Sequence, residues 1–187
     1  AGNNNSLIVI DPVLKQKWSA PLSSLPTNIK EQLSSTNMEF YQTGDILYCI
    51  GGYGYSASAN DHTTYPYLTA IDVSKTIQAI INGTNFTTFF FYLQNTKMQV
   101  TGGKLKKIND RYYLLGGQKF IGRYNPMGPN NGPGFIQEYT NSVRMFDLQL
   151  DGNNSPQALN FTEWLDTSLF HRRDYNAEAQ ILSDGQE

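Results

Sequence analysis

The chain has 187 residues, a formal net charge of −2 and only 16% charged residues, against roughly 25% in an average soluble domain. Asn, Gly, Tyr, Ser and Thr take their place, a mixture that suits short strands joined by turns and excludes a bundle built on Ala, Leu, Glu and Lys. No basic cluster exceeds Lys104, Lys106 and Lys107, so a nucleic acid partner is disfavoured. The longest apolar run is about five residues, far short of the ~20 needed to span a membrane. One cysteine, Cys49, rules out a disulfide framework.

In chain order, strands are expected near 7–11, 46–50, 67–72, 86–92, 98–106, 111–116, 142–149 and 158–164. Two segments break this pattern. The run from Pro26 has Thr27 as a candidate N-cap and apolar Ile29 and Leu33 at helical spacing, and the run from Ser74 reads as a helical turn. Both are expected to pack on the rim of the fold.

The strands repeat. A polar turn, an apolar run and Gly-Gly recur at Gly51-Gly52 and Gly116-Gly117, 65 residues apart, and the turn from Ser183 begins a third copy. Stretches closed by Asp end at Asp11, Asp72 and Asp147, and an aromatic follows each, at Trp18, Phe89 and Trp164. Several series in phase over a period of 65 to 75 residues define a four-stranded unit a–b–c–d that must stack on its neighbours to bury both faces. The expected pieces run over about 1–36, 37–95, 96–166 and 167–187, within a single partial domain. Glycine after strand b allows a sharp change of direction where sheets crowd together.

This pattern resembles the kelch repeat, and the resemblance implies an all-β, partial kelch-type β-propeller. The segments LYCIGGYGY, TYPYLTAIDV, GRYNPMG and HRRDYN resemble kelch-repeat surface proteins of the Bacteroidota, several of them similar to cargo of the type IX secretion pathway. The resemblance implies an extracellular or cell-surface location. Propellers have 4–8 blades and the 187 residues supply fewer than three, so further blades of the same parent protein are expected, and Ala1 reads as a processed or truncated start. Asn-x-Ser/Thr triplets begin at Asn4, Asn82, Asn85, Asn153 and Asn160, and matter only in a glycosylating host.

In such a unit the b–c and d–a connections share one face. The a–b turns are short, whereas the b–c connections run from Tyr53 to Pro66 and from Gln118 to Thr140. Connections this long are usually functional or disordered. Together with HRRDYN they carry the candidate ligand-binding residues Asp61, His62, Arg123, Tyr124, Asn125, His171, Arg172 and Arg173. Aromatic rings supply contact area and Asn, Arg and carboxylates supply direction, which suits a glycan or a protein partner. The same residues have structural readings, as loop rigidifiers or ion-pair partners between blades.

Function is expected to be binding without catalysis, with no cofactor and no metal, since His62 and His171 show no ligand spacing. A scaffold that docks a partner through its blades is a further reading. The alternative is a propeller enzyme of the sialic acid mutarotase type, for which Glu138, His171, Arg172 and Arg173 would supply acid–base groups. A copper radical oxidase has no match, because Cys49 precedes Gly-Gly and should point into a sheet interface.

Overall fold

The computed structural model describes residues 4–132 and 134–178. It is an all-β, partial propeller in which antiparallel sheets stack side by side. A two-stranded hairpin comes first, β1 (Ser6–Asp11) with β2 (Gln16–Pro21). The first complete blade has β3 (Glu39–Thr43), β4 (Ile46–Ile50), β7 (Tyr67–Asp72) and β8 (Phe90–Gln94). The second has β9 (Lys104–Ile108), β10 (Arg111–Leu115), β13 (Ser142–Leu150) and β14 (Pro156–Leu165). Each blade is an a–b–c–d meander of the kind the repeat predicts. The expected strand of the next unit and its turn from Ser183 fall largely outside the described residues.

The stacking follows from strand alternation, because successive side chains point to opposite faces. The hairpin turns Leu7, Val9, Trp18 and Ala20 onto one face of the first blade, where they meet Leu47, Cys49, Ile71 and Phe90. The other face of that blade carries Tyr48, Ile50, Leu68 and Ala70. These pack against Leu105, Tyr112, Leu114 and Phe146 of the second blade. Each junction therefore joins the trailing face of one unit to the leading face of the next. Across the second junction the Thr43 and Tyr112 hydroxyls share a 2.8 Å hydrogen bond.

The helices are α1 (Thr27–Leu33) and α2 (Val73–Ile81). Asp72 caps α2 by accepting a hydrogen bond from the Lys75 N–H. Thr27 is not a cap: Pro26 holds that position with no side-chain hydrogen bond, and Thr27 is the first helical residue. Nor does α1 lie on the rim. Its Ile29 and Leu33 enter the first core, and Gln32 is completely buried against the ends of β4 and β7. The Gln32 amide donates to the carbonyls of Tyr67, Gly51 and Cys49 and accepts from the Thr69 hydroxyl. A buried amide is tolerated because each of its groups is partnered.

Two expected strands shift. In place of 86–92 there is a 3-10 turn at Thr87–Phe89 and then β8, because Asn85 accepts from the Thr87 N–H and turns the chain. Phe89 therefore precedes strand d instead of lying in it, whereas Trp18 and Trp164 lie in β2 and β14. In place of 98–106 there is a turn at Thr96–Met98 and then β9 from Lys104, separated by Gly102 at φ +68°.

Cys49 points into the first junction as its place before Gly-Gly suggests, and burial pushes its thiol up to about 12. The folded protein is accordingly expected to show no reaction with a colorimetric thiol reagent at pH 8, and the chain in denaturant to release the one equivalent its single cysteine supplies. Prompt reaction without denaturant would mean that this junction opens.

Candidate functional site

Strand b does not end at Gly-Gly. The glycines, at φ +64° and +93° in the first unit and +50° and +83° in the second, rotate the strand out of its blade, and it continues as a new one. The long b–c connections are therefore hairpins: β5 (Tyr53–Ser56) with β6 (Asp61–Thr64), and β11 (Gln118–Ile121) with β12 (Ile136–Tyr139). The two join through β6 and β11 into one four-stranded sheet that bridges the blades. The buried Thr64 hydroxyl closes this join, donating to the Phe120 carbonyl and accepting from the Phe120 N–H. Tyr53 adds a second clamp: its hydroxyl donates to the Gly122 carbonyl at 2.6 Å and accepts from the Tyr124 N–H at 3.1 Å.

Beside this sheet, three equivalent residues of successive units form a backbone ladder. The Gly102 N–H donates to the Asn37 carbonyl and the Asp174 N–H to the Gly102 carbonyl. All three adopt the left-handed conformation, with φ +54°, +68° and +54°. The Asn37 side-chain amide also reaches the Asp174 carboxylate at 3.3 Å. The bridging sheet and this ladder enclose an open pocket of about 230 Å³, lined by Asn37, Tyr53, Thr101, Gln118, Phe120, Tyr124 and Arg173.

Of the residues nominated from the sequence, the pocket brings Tyr124 and Arg173 together. Tyr124 is half exposed, its ring 6.0 Å from Phe120 and 6.3 Å from Phe135. Arg173 lines the pocket and has the Asp174 carboxylate 3.6 Å from its guanidinium. His62 stands behind the pocket, its ring 5.8 Å from that of Tyr53. Asp61 folds back on the His62 N–H, and Arg123 is exposed near Tyr53.

The remaining nominated residues build the scaffold. Asn125 closes its own loop, donating to the Gly128 and Asn131 carbonyls and accepting from the Met127 N–H. His171 stacks on Tyr139 with ring centres 3.9 Å apart and hydrogen-bonds Asn141. The Arg172 carbonyl accepts from the Gly117 N–H, and its guanidinium turns back to the Leu169 carbonyl. Glu138 pairs with Lys119 at 3.3 Å. Each residue of the enzyme reading thus has a local partner: Glu138 with Lys119, His171 with Tyr139 and Asn141, Arg172 with Leu169 and Arg173 with Asp174. Among the described residues, no group of three His, Cys, Asp or Glu side chains is placed to hold a metal, and no helix is long and apolar enough to cross a membrane.

Asn37, Thr101, Tyr53, Gln118 and Phe120 were not nominated as binding residues from the sequence. The available signal was positional: Thr36-Asn37 and Thr101-Gly102 recur 65 residues apart, as do Tyr53 and Gln118 directly after Gly-Gly. On the far side of the ladder lies Glu39, only 4% exposed. Burial pushes its carboxyl up to about 8 against the opposing pull of Lys104 and the Gly103 N–H. Burial and the neighbouring Glu39 raise Tyr175 to about 12.

No protein-family model matches this sequence, and no curated protein matches it either. The class is therefore defined by architecture: a partial propeller with a second sheet bridging its blades and a polar–aromatic pocket at the bridge.

Proposed function

We propose that this chain is part of a kelch-type binding propeller, extracellular or on the cell surface, that holds a glycan or protein ligand at the pocket between Tyr124 and Arg173. The supporting observation is convergence. Residues from three consecutive units supply an aromatic wall, amide and hydroxyl groups and one guanidinium to a single concavity. Tyrosine presents an apolar face with little conformational entropy to lose, and arginine forks onto a carboxylate or a pair of hydroxyls. The sequence resemblance supports export through the type IX pathway as the route to that location.

The test is a glycan array, with a surface-protein pull-down alongside, comparing the native chain with Arg173→Ala and Tyr124→Ala. Each substitution is expected to weaken binding at least about tenfold, or ~1.4 kcal/mol, with the circular dichroism unchanged because both side chains are at least partly exposed. Arg172→Ala is expected to bind normally, since its contribution to the bridge comes from a backbone carbonyl. Undiminished binding by both pocket variants would move the site elsewhere. The turn at Asp151–Pro156 on the opposite face would then be the next candidate, although Asp151 already accepts from the Asn153 and Ser155 N–H groups.

A further inference from the structure

The bridging sheet has a second face. Side chains alternate along β5 and β6, so Ser56 and Thr63 point away from the side on which Tyr53 lines the first pocket. There the β5–β6 hairpin, helix α1 and the start of β7 enclose a groove of about 510 Å³, within the range of small-ligand sites. Glu31, Tyr65, Tyr67 and, from the next unit, Gln99 also line it.

Ile29 and Leu33 turn one side of α1 into the first core, which puts Glu31 on the side that a helix ordinarily leaves to water. Glu31 is nevertheless only 9% exposed. The tip of the hairpin leans over it, and the Ala57 N–H donates to its Oε1 at 3.0 Å. That tip is set from within: the Ser56 and Ser58 hydroxyls share a 3.0 Å hydrogen bond, and the Ala59 N–H donates to Ser56 Oγ. Its base is held by the Tyr65 hydroxyl, which donates to the Tyr55 carbonyl at 2.7 Å, and by the Gln99 amide, which donates to the Thr64 carbonyl at 2.8 Å. The walls of the groove are thereby fixed by the fold itself.

A carboxylate this deep is costly unless opposite charge meets it. Among the described residues, no lysine, arginine or histidine pairs with Glu31, and none lines the groove. Two phenols of the wall feel its charge: burial and then Glu31 push Tyr65 up, and burial, Tyr92 and then Glu31 push Tyr67 up. We propose that this groove binds an organic cation, an ammonium or guanidinium group on a flexible chain, with Glu31 as its counter-ion and Tyr67 as an aromatic wall. Such a group donates charge-assisted hydrogen bonds to a carboxylate and is attracted to tyrosine rings. The site differs from the Tyr124–Arg173 pocket in place and in sign: Glu31 selects positive charge on one face of the bridging sheet, and Arg173 negative charge or hydroxyls on the other. A basic side chain of a peptide and a free polyamine both present this chemistry.

The experiment is a ¹H–¹⁵N NMR titration of the 187-residue chain with three probes: spermidine, acetyl-Gly-Arg-Gly-amide and the neutral acetyl-Gly-Gln-Gly-amide. Spermidine or the arginine peptide is expected to bind with a Kd of about 1 mM or below, shifting the Ala57 and Ser58 N–H signals and the Gln99 side-chain amide. Which of the two binds more tightly identifies the source of the cation. Glu31→Gln keeps an oxygen to accept the Ala57 N–H and removes the charge, so it is expected to weaken binding at least about tenfold, with circular dichroism unchanged. Should Glu31→Gln lose the native spectrum, Ser58→Arg replaces it. Ser58 is exposed at the groove, and a guanidinium there is expected to occupy Glu31 and weaken the probes by a similar factor. The proposal is overturned if neither cation binds at 10 mM, roughly ten times that Kd, or if the glutamine peptide binds as well as the arginine peptide. Undiminished binding by the folded variant, or shifts confined to the Tyr124 pocket, also overturns it.

Discussion

Gly51→Ala is expected to cost at least about 3 kcal/mol, a large part of the 5–15 kcal/mol typical of a folded domain. Gly51 sits at φ +64°, and a methyl group there would overlap the carbonyl oxygen of Val100, whose carbon would lie 2.9 Å away. That carbonyl belongs to the neighbouring unit and already accepts the Gly52 N–H at 2.9 Å. The chain can relieve the clash only by separating the units or unwinding the turn that sends strand b into the bridging sheet. Gly117→Ala should behave alike, since at φ +83° its methyl would meet the Val100 side chain at 2.5 Å and the Gly103 nitrogen at 2.8 Å. Gly44 is the control. Its φ is +56°, but nothing lies within 4 Å, so Gly44→Ala bears only the conformational cost, about 1 kcal/mol. Urea unfolding of the three variants separates close approach from backbone preference. Equal losses at Gly51 and Gly44 would refute the crowding argument.

The second large effect concerns pH. Glu39 keeps its proton in the folded chain up to about 8, whereas in the unfolded chain it releases it near 4.5. Between these values the unfolded state binds fewer protons, so stability falls as pH rises, by up to about 5 kcal/mol in total. Below about 4.5 both states are protonated and the contribution is fully present; above about 8 it is gone. Glu39→Gln keeps the shape of the neutral acid and cannot ionise. The variant is expected to match the native chain at pH 4.5 and to exceed it increasingly towards pH 8, as measured by the difference in urea midpoints. A difference that does not change with pH would mean that Lys104 holds Glu39 ionised throughout.

Much of this fold was legible because the blade strands alternate cleanly and their ends are punctuated. The Asp that closes strand c, the turn before strand b and Gly-Gly recur in phase, and β4, β7 and β10 lie where that phase puts them. The bridging sheet was not legible. Its four strands have four residues each, and the glycines that aim them also read as the end of a strand. Gln32 was hidden for another reason: a polar residue on a short helix looks solvent-facing until the carbonyls it serves are in view. Of the residues that line the candidate pocket, Tyr124 and Arg173 were nominated by residue type, as an aromatic and a guanidinium on long connections. Asn37 and Thr101 were not, because Asn37 takes part through a left-handed turn and Thr101 sits beside the equivalent turn at Gly102, which no side-chain pattern marks.

The bridging sheet also dictates where foreign sequence can be grafted. Each hairpin donates one strand to a neighbour, so a residue added near its base would shift the pairing in two units at once. The tips carry no such obligation: Ala57–Asn60 in one hairpin and the exposed stretch around Met127 and Asn130 in the other lie beyond the last paired residues. A peptide tag placed at either tip leaves both blades in register. The same tag placed beside Thr64 or Phe120 detaches one unit from the next.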